Sequence, residues 1–155
     1  MIKRIRRFPK LQHFIECTLM AIGFALVAVT IKPDLISLDQ APSLQELAIV
    51  ALIAVFVPAF GEELVFRGLL LPVISPFWLT VSITLFVAWH PLESVTHLHN
   101  AKSLFTDLSF LFLVAVLGNL CAFAYHRSQS LWSAVYLHWL VVVGWRAAGG
   151  ARFVV

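Results

Sequence analysis

The stretch Leu47–Ile74 reads LAIVALIAVFVPAFGEELVFRGLLLPVI, and near its middle stand Glu62, Glu63 and Arg67 in an otherwise apolar run. On insertion scales Asp, Lys or Arg at a helix centre costs roughly 2.5–3.5 kcal/mol each. A segment built only to span a bilayer has no use for such groups, so the expectation is a membrane helix carrying a functional site whose charges are paired. Helix geometry suggests the pairing. Glu63 and Arg67 are four residues apart, on one face, in the favourable acid-before-base order. Glu62 lies about 100° further round the helix and five residues from Arg67, so it points elsewhere. One carboxylate is committed to an ion pair and the other is left for chemistry. The plainer reading, a Glu–Arg pair that only locks helices together, accounts for Glu63 better than for Glu62.

The whole chain fits this environment. Its 155 residues are 61% hydrophobic and 12% charged, with a mean hydropathy of +0.92, outside the range of a soluble domain. The expected fold class is all-α, a polytopic transmembrane helical bundle of about five spans forming a single membrane domain over residues 1–155. The net charge of +3 is no nucleic-acid signature. The excess sits in an N-terminal arm, residues 1–12, where Lys3, Arg4, Arg6, Arg7 and Lys10 cluster. That arm reads as a positive-inside signal and a contact for anionic lipid, with the N-terminus in the cytoplasm and the protein integral to the cytoplasmic (plasma) membrane. No small-residue cleavage site marks it as a signal peptide. Cys17 and Cys121 fall in expected spans and read as buried small hydrophobes rather than a disulfide or metal pair.

Apolar periodicity and turn residues divide the chain into spans at about His13–Ile31, Leu44–Ile74, Phe77–His90, Leu104–Tyr125 and Ser130–Trp145. Glu16 is expected at an interface or facing other helices. A polar loop joins the first two spans from Lys32 to Pro42. Pro58 and Gly61 predict a kink just before the carboxylates. A tight reversal is expected at Pro72–Pro76, a polar segment with Glu93, His97, His99, Asn100 and Lys102 follows His90-Pro91, and His126–Gln129 forms the last loop. At about 1.5 Å per residue, Glu62 lies roughly 18 Å above the reversal, His90 roughly 20 Å up its other side, and His138 roughly 12 Å above Ser130. Three separated ionisable residues converge on one layer.

A carboxylate and an imidazole at one depth can share and deprotonate a water, and burial draws both pKa values toward neutral. A second histidine facing the same cavity can donate to a developing oxyanion. These parts suit hydrolysis of an acyl bond with water as nucleophile, and no Gly-x-Ser-x-Gly, Ser-Lys or Cys-His arrangement competes. Each has a bland reading: His90 bonded to a carbonyl opened by Pro91, His138 packed between Tyr136 and Trp139, His97 and His99 solvated in a loop, Phe86 packed to orient a ring, and Asp107 and Asn119 as interhelical hydrogen-bond groups. Two Glu and two His also suit Zn²⁺. His-Glu-x-x-His is absent, however, and the Glu63–Arg67 pair would set a cation beside the metal. No cofactor is expected, with zinc the alternative.

Val57-Pro58-Ala59-Phe60-Gly61-Glu62-Glu63-Leu64-Val65-Phe66-Arg67-Gly68 closely resembles the Glu-Glu-x-x-x-Arg motif of the CAAX-protease and bacteriocin-processing (CPBP, or Abi) family. Phe86-Val87-Ala88-Trp89-His90 is similar to its Phe-x-x-x-His motif, and Ser130–His138 resembles its third region, which ends in His-x-x-x-Asn or Asp. The three motifs run in order over a CPBP-like core at residues 57–145. The resemblance implies an all-helical intramembrane bundle opening toward the cytosol and a glutamate-type intramembrane endopeptidase. In it Glu62 and His90 activate the attacking water, Glu63 and Arg67 support the site, and His138 helps form the oxyanion hole. The family's activities include removal of the C-terminal tripeptide after a prenylated Cys, and maturation or immunity roles in bacteria.

One position departs from the pattern: Val142 stands where the family has Asn or Asp. Valine cannot donate to an oxyanion, and losing one such donor elsewhere costs about 10²–10³ in rate. Asn119 is the nearest substitute donor the sequence offers; without one, activity is weak or altered. Three functions follow. The first is an endopeptidase acting on a membrane-embedded or lipidated, CAAX-type protein or peptide substrate. The second is a catalytically weak or inactive interaction or immunity protein. The third is a proton-coupled carrier, which five spans without a repeat favour least. The sequence points to membrane lipid as a partner and to no nucleic acid, and it sets no oligomeric state.

Overall fold

The computed structural model describes residues 2–71, 75–96 and 102–150. Helix α1 is Ile2–Arg6 and α2 is Leu11–Ile31; two short 3-10 turns, Pro33–Leu35 and Leu38–Gln40, lead to α3, Leu44–Ala54. The backbone of α3 continues as π-helix through Val55–Glu62 and Leu64–Leu69, and α4 (Pro76–Thr96), α5 (Lys102–Phe105), α6 (Leu108–Ser128) and α7 (Leu131–Ala147) follow. The described residues contain no strand. The all-helical bundle expected from composition is what the chain forms. Most of the Pro72–Pro76 reversal, and all of His97, His99 and Asn100, lie outside the described residues.

Leu11–Ile31, Leu44–Leu69 and Leu108–Ser128 are each long and apolar enough to cross a membrane, and Pro76–Leu92 is a shorter apolar helix. Their outer faces are apolar as well: Leu19, Leu26, Leu52, Phe112 and Phe123 are all more than half exposed. Water would oppose such a surface and hydrocarbon accepts it. The interior is close-packed around α7, which touches α2, α3, α6 and the π-helical stretch. Small residues let these backbones approach, as in other membrane bundles: Ala59, Cys121, Ala122, Ala124 and Ala134 are all buried. Cys17 and Cys121 are buried thiols bonded to the carbonyls of Ser133 and Ala134.

Three local expectations need correction. Pro58 does not simply kink the second span. Lacking an N–H, it cannot serve the carbonyl four residues back, and the chain widens into π-helix on both sides of Glu63, with Glu62 at the end of the first stretch. Asp107 does not lie inside the fourth span. Its extended backbone and a carboxylate that accepts from the Phe110 N–H (2.9 Å) make it the N-cap of α6, the position where aspartate is favoured. The His126–Gln129 loop shrinks to a corner: α6 runs through Ser128, Gln129 turns the chain at φ 55°, and Ser130 caps α7 through the Trp132 N–H.

The basic arm is anchored to this corner. Trp132 donates from Nε1 to the Ile5 carbonyl (2.8 Å), Ser130 donates to the Arg7 carbonyl, and Arg4 lies over the Tyr125 ring at 5.0 Å. Glu16 pairs with Arg127 at 3.3 Å at the same end. At the other end Lys32, just past α2, bridges Asp34 (3.1 Å) and Asp107 (3.3 Å), while α7 ends against the loop after α2 through the Ser37 N–H, which donates to the Ala148 carbonyl.

Candidate active site

The π-helical stretch turns Glu63 and Arg67 fully inward. Arg67 Nη1 donates to Glu63 Oε1 at 3.2 Å and Nη2 to the Gly118 carbonyl at 2.8 Å, while the guanidinium lies 4.4 Å above the Phe86 ring. The Glu63–Arg67 pairing expected from their spacing is therefore present. The same Glu63 oxygen also accepts from His138 Nδ1 at 2.9 Å, so one carboxylate ties the π-helical stretch to α7. A buried guanidinium and an imidazole N–H on one carboxylate offset the cost of taking that charge out of water.

Phe86 is the hub on which the site is assembled. Completely buried on α4, it meets Phe66 edge-on (5.3 Å between centroids), His90 (5.1 Å) and His138 (5.9 Å). His90 donates from Nδ1 to the Phe86 carbonyl at 2.9 Å, the carbonyl one residue before the one that Pro91 leaves without its helical donor. That bond fixes the ring's tautomer: in the neutral imidazole Nε2 is the basic nitrogen. Phe105 and Phe110 flank the ring at 5.9 and 6.1 Å.

Glu62, His90, His138 and Val142 all line one cavity of about 810 Å³ whose other walls are largely apolar residues of α2, α3, α6 and α7. The three ionisable residues placed at one depth by counting along the helices thus share one cavity. Asn119 does not join them. It is exposed and its amide is spent on the Ala115 carbonyl one turn back (2.8 Å), so it is no substitute donor at Val142. Among the described residues no three His, Cys, Asp or Glu side chains are grouped to hold a metal ion.

Gly118 was not singled out from the sequence. A Cβ there would stand 3.1 Å from Phe86 Cδ1 and 3.3 Å from Arg67 Nη2, so only glycine gives the guanidinium its carbonyl without crowding. A glycine in the middle of a membrane span is the signal that points to such a close approach.

These features define an integral membrane protein, an all-helical bundle with a buried Glu–Arg–His network beside an apolar cavity. The chain belongs to the type II CAAX prenyl endopeptidase Rce1-like family, whose model matches residues 44–144. No curated protein and no solved structure matches it. The family is one of CAAX-type intramembrane proteases, hydrolases that act on membrane-associated prenylated substrates in general.

Proposed function

We propose that the chain is a metal-independent, glutamate-type intramembrane endopeptidase that removes the C-terminal segment of a lipidated, CAAX-type substrate. The observation that carries this reading is the shared cavity of Glu62, His90 and His138, together with a His90 ring whose Nδ1 is committed to Phe86. A water held between Glu62 and His90 Nε2 gives up its proton as its oxygen attacks the scissile carbonyl carbon. The charge on the carbonyl oxygen is met by His138 from Nε2. Because the Nδ1–H already donates its hydrogen bond to the Glu63 carboxylate, His138 makes that donation as the imidazolium, with Glu63 as counter-charge. Collapse of the tetrahedral intermediate breaks the C–N bond, and the proton taken from water leaves on the amine.

Glu63 and Arg67 act through His138 by holding its ring. No metal enters these steps, and activity is expected to be unchanged by chelators. Val142 supplies no second donor, so turnover should be slow. The test is cleavage of a lipidated-peptide library by the purified protein in lipid vesicles. Removing a general base typically costs about 10²–10⁴ in rate, so Glu62→Ala and His90→Ala should each abolish detectable cleavage. Cleavage surviving both changes would overturn the mechanism.

A further inference from the structure

Arg146 lines the same cavity as Glu62, His90 and His138 and is only 5% exposed. Its bonds are to neutral partners: Nη1 donates to the Gly150 carbonyl (3.1 Å) and to the Gln40 carbonyl (3.4 Å). Among the described residues no carboxylate pairs with it, in contrast to the fully buried Arg67. A buried guanidinium without a counter-ion is costly and, with donors in a planar fork, is suited to binding a carboxylate.

Its position along α7 suits a short C-terminal tail. Eight residues of helix separate His138 from Arg146, an axial distance of roughly 12 Å. Three residues of extended peptide reach roughly 10–11 Å. A chain whose scissile bond sits at His138 and which ends three residues later therefore brings its terminal carboxylate close to the guanidinium. Phe105, Phe110, Leu35 and Trp145 line the same cavity and offer apolar contacts to the side chains between.

We propose that Arg146 binds the free α-carboxylate of the substrate and is the residue through which this chain reads a nearby C-terminus. This rests on the endopeptidase reading and adds to it a residue that reads substrate length. The test uses a lipidated-cysteine peptide with a three-residue apolar tail, made as the free acid and as the C-terminal amide. Both are offered to the wild type, Arg146→Gln and Arg146→Lys, with cleavage as one readout. The other is peptide binding measured in a Glu62→Gln background, where turnover does not consume the peptide.

The wild-type protein should prefer the acid by about tenfold or more, the worth of one charge-assisted bond. Arg146→Gln should lose that preference by weakening the acid alone, and Arg146→Lys should keep part of it. If Arg146 only clamps the loop at Gln40, Arg146→Gln lowers the melting temperature and slows acid and amide equally, and the proposal fails. It fails too if the two peptides bind alike while Arg146→Gln weakens binding to vesicles of anionic lipid, which would assign the guanidinium to a headgroup. Glu62-dependent cleavage indifferent to amidation sinks the carboxylate site and spares the protease. No cleavage, with acid-selective binding lost in Arg146→Gln, does the reverse.

Discussion

At Gly118 a single hydrogen atom decides whether the site can be assembled. Gly118→Ala puts a methyl group 3.1 Å from Phe86 and 3.3 Å from the Arg67 guanidinium, neither of which can retreat: both are completely buried. Overpacking of this kind costs about 1–3 kcal/mol. Displacement of Arg67 passes to His138 through Glu63, so a fall in kcat of about tenfold or more is expected with KM little changed, a split that steady-state kinetics on vesicle-bound enzyme would show. Equal losses in kcat and KM would point to general loosening instead. Arg67→Met makes a harsher case, because it strands the Glu63 carboxylate against His138 alone; breaking a buried pair costs about 3–5 kcal/mol, read as a lower melting temperature in detergent. The Glu63–Arg67 pair was legible from a four-residue spacing. Its ties to His138 and Gly118 were not, because they join residues 75 and 51 positions apart, and periodicity says nothing of such contacts.

Element boundaries show where local chemistry speaks clearly and where it does not. Ser43, with Glu46 three residues on, is a capping box that starts α3, and the second span does begin at Leu44. The consequence of Pro58 was harder to see, since a missing donor can bend a helix or widen it. The π-helix follows from i→i+5 pairing past Pro58. Pro58→Ala restores the donor and should draw this stretch toward α-helix, rotating Glu62 relative to His90. Cleavage should then drop sharply while the melting temperature holds or rises; parallel loss of both would show that the π-helix is needed for folding rather than for the site. Asp107 ties α6 to the end of α2. The Phe110 N–H, and then the Lys32 ammonium, hold its carboxyl below the ordinary aspartate value of 3.8. Lys32 is raised above 10.5, chiefly by its bond to Asp34. A depressed carboxyl contributes stability that is present above its unfolded pKa and lost as pH falls through the folded value. A raised ammonium contributes stability that is present below its unfolded pKa and lost as pH rises through the folded one. The tie therefore holds from about pH 4 to about pH 10, and it contributes no activity change between those limits. Asp107→Asn, which keeps a capping oxygen but loses the ion pair, should leave the neutral-pH profile unchanged, and a displaced profile would refute this assignment.

On the scale of the molecule, the family-matched residues 44–144 do not close the cavity by themselves. Helix α2 lies before them, yet Ala21, Ala25 and Ala28 line the cavity, and α2 is held to α7 by the Cys17 thiol on the Ser133 carbonyl and by Thr18 against Tyr136 at 3.2 Å. From the sequence α2 was only an apolar span: its alanines gain meaning when α7 is laid against them, a long-range packing that no window along the chain reveals. The far end is closed in the same manner. Gly149, at φ 79°, brings its backbone so close to the Ser37 carbonyl that a Cβ would fall 1.7 Å from the oxygen, and this junction places the chain around Arg146 beside Gln40. Filling the cavity from α2 tests whether that wall meets substrate. Ala25→Trp adds bulk inside the cavity, whereas Leu26→Trp, one residue on, replaces a side chain that is 68% exposed and absent from the cavity wall. Apolar contacts contribute about 25 cal/mol per Å² buried, so denying an apolar substrate group its place should raise KM by about tenfold or more in Ala25→Trp. Leu26→Trp should behave as wild type, and both variants should melt within a few degrees of it. If Ala25→Trp cleaves with an unaltered KM, substrate reaches Glu62 by a route that avoids α2, and the apolar part of this cavity serves the lipid or the fold rather than the reaction.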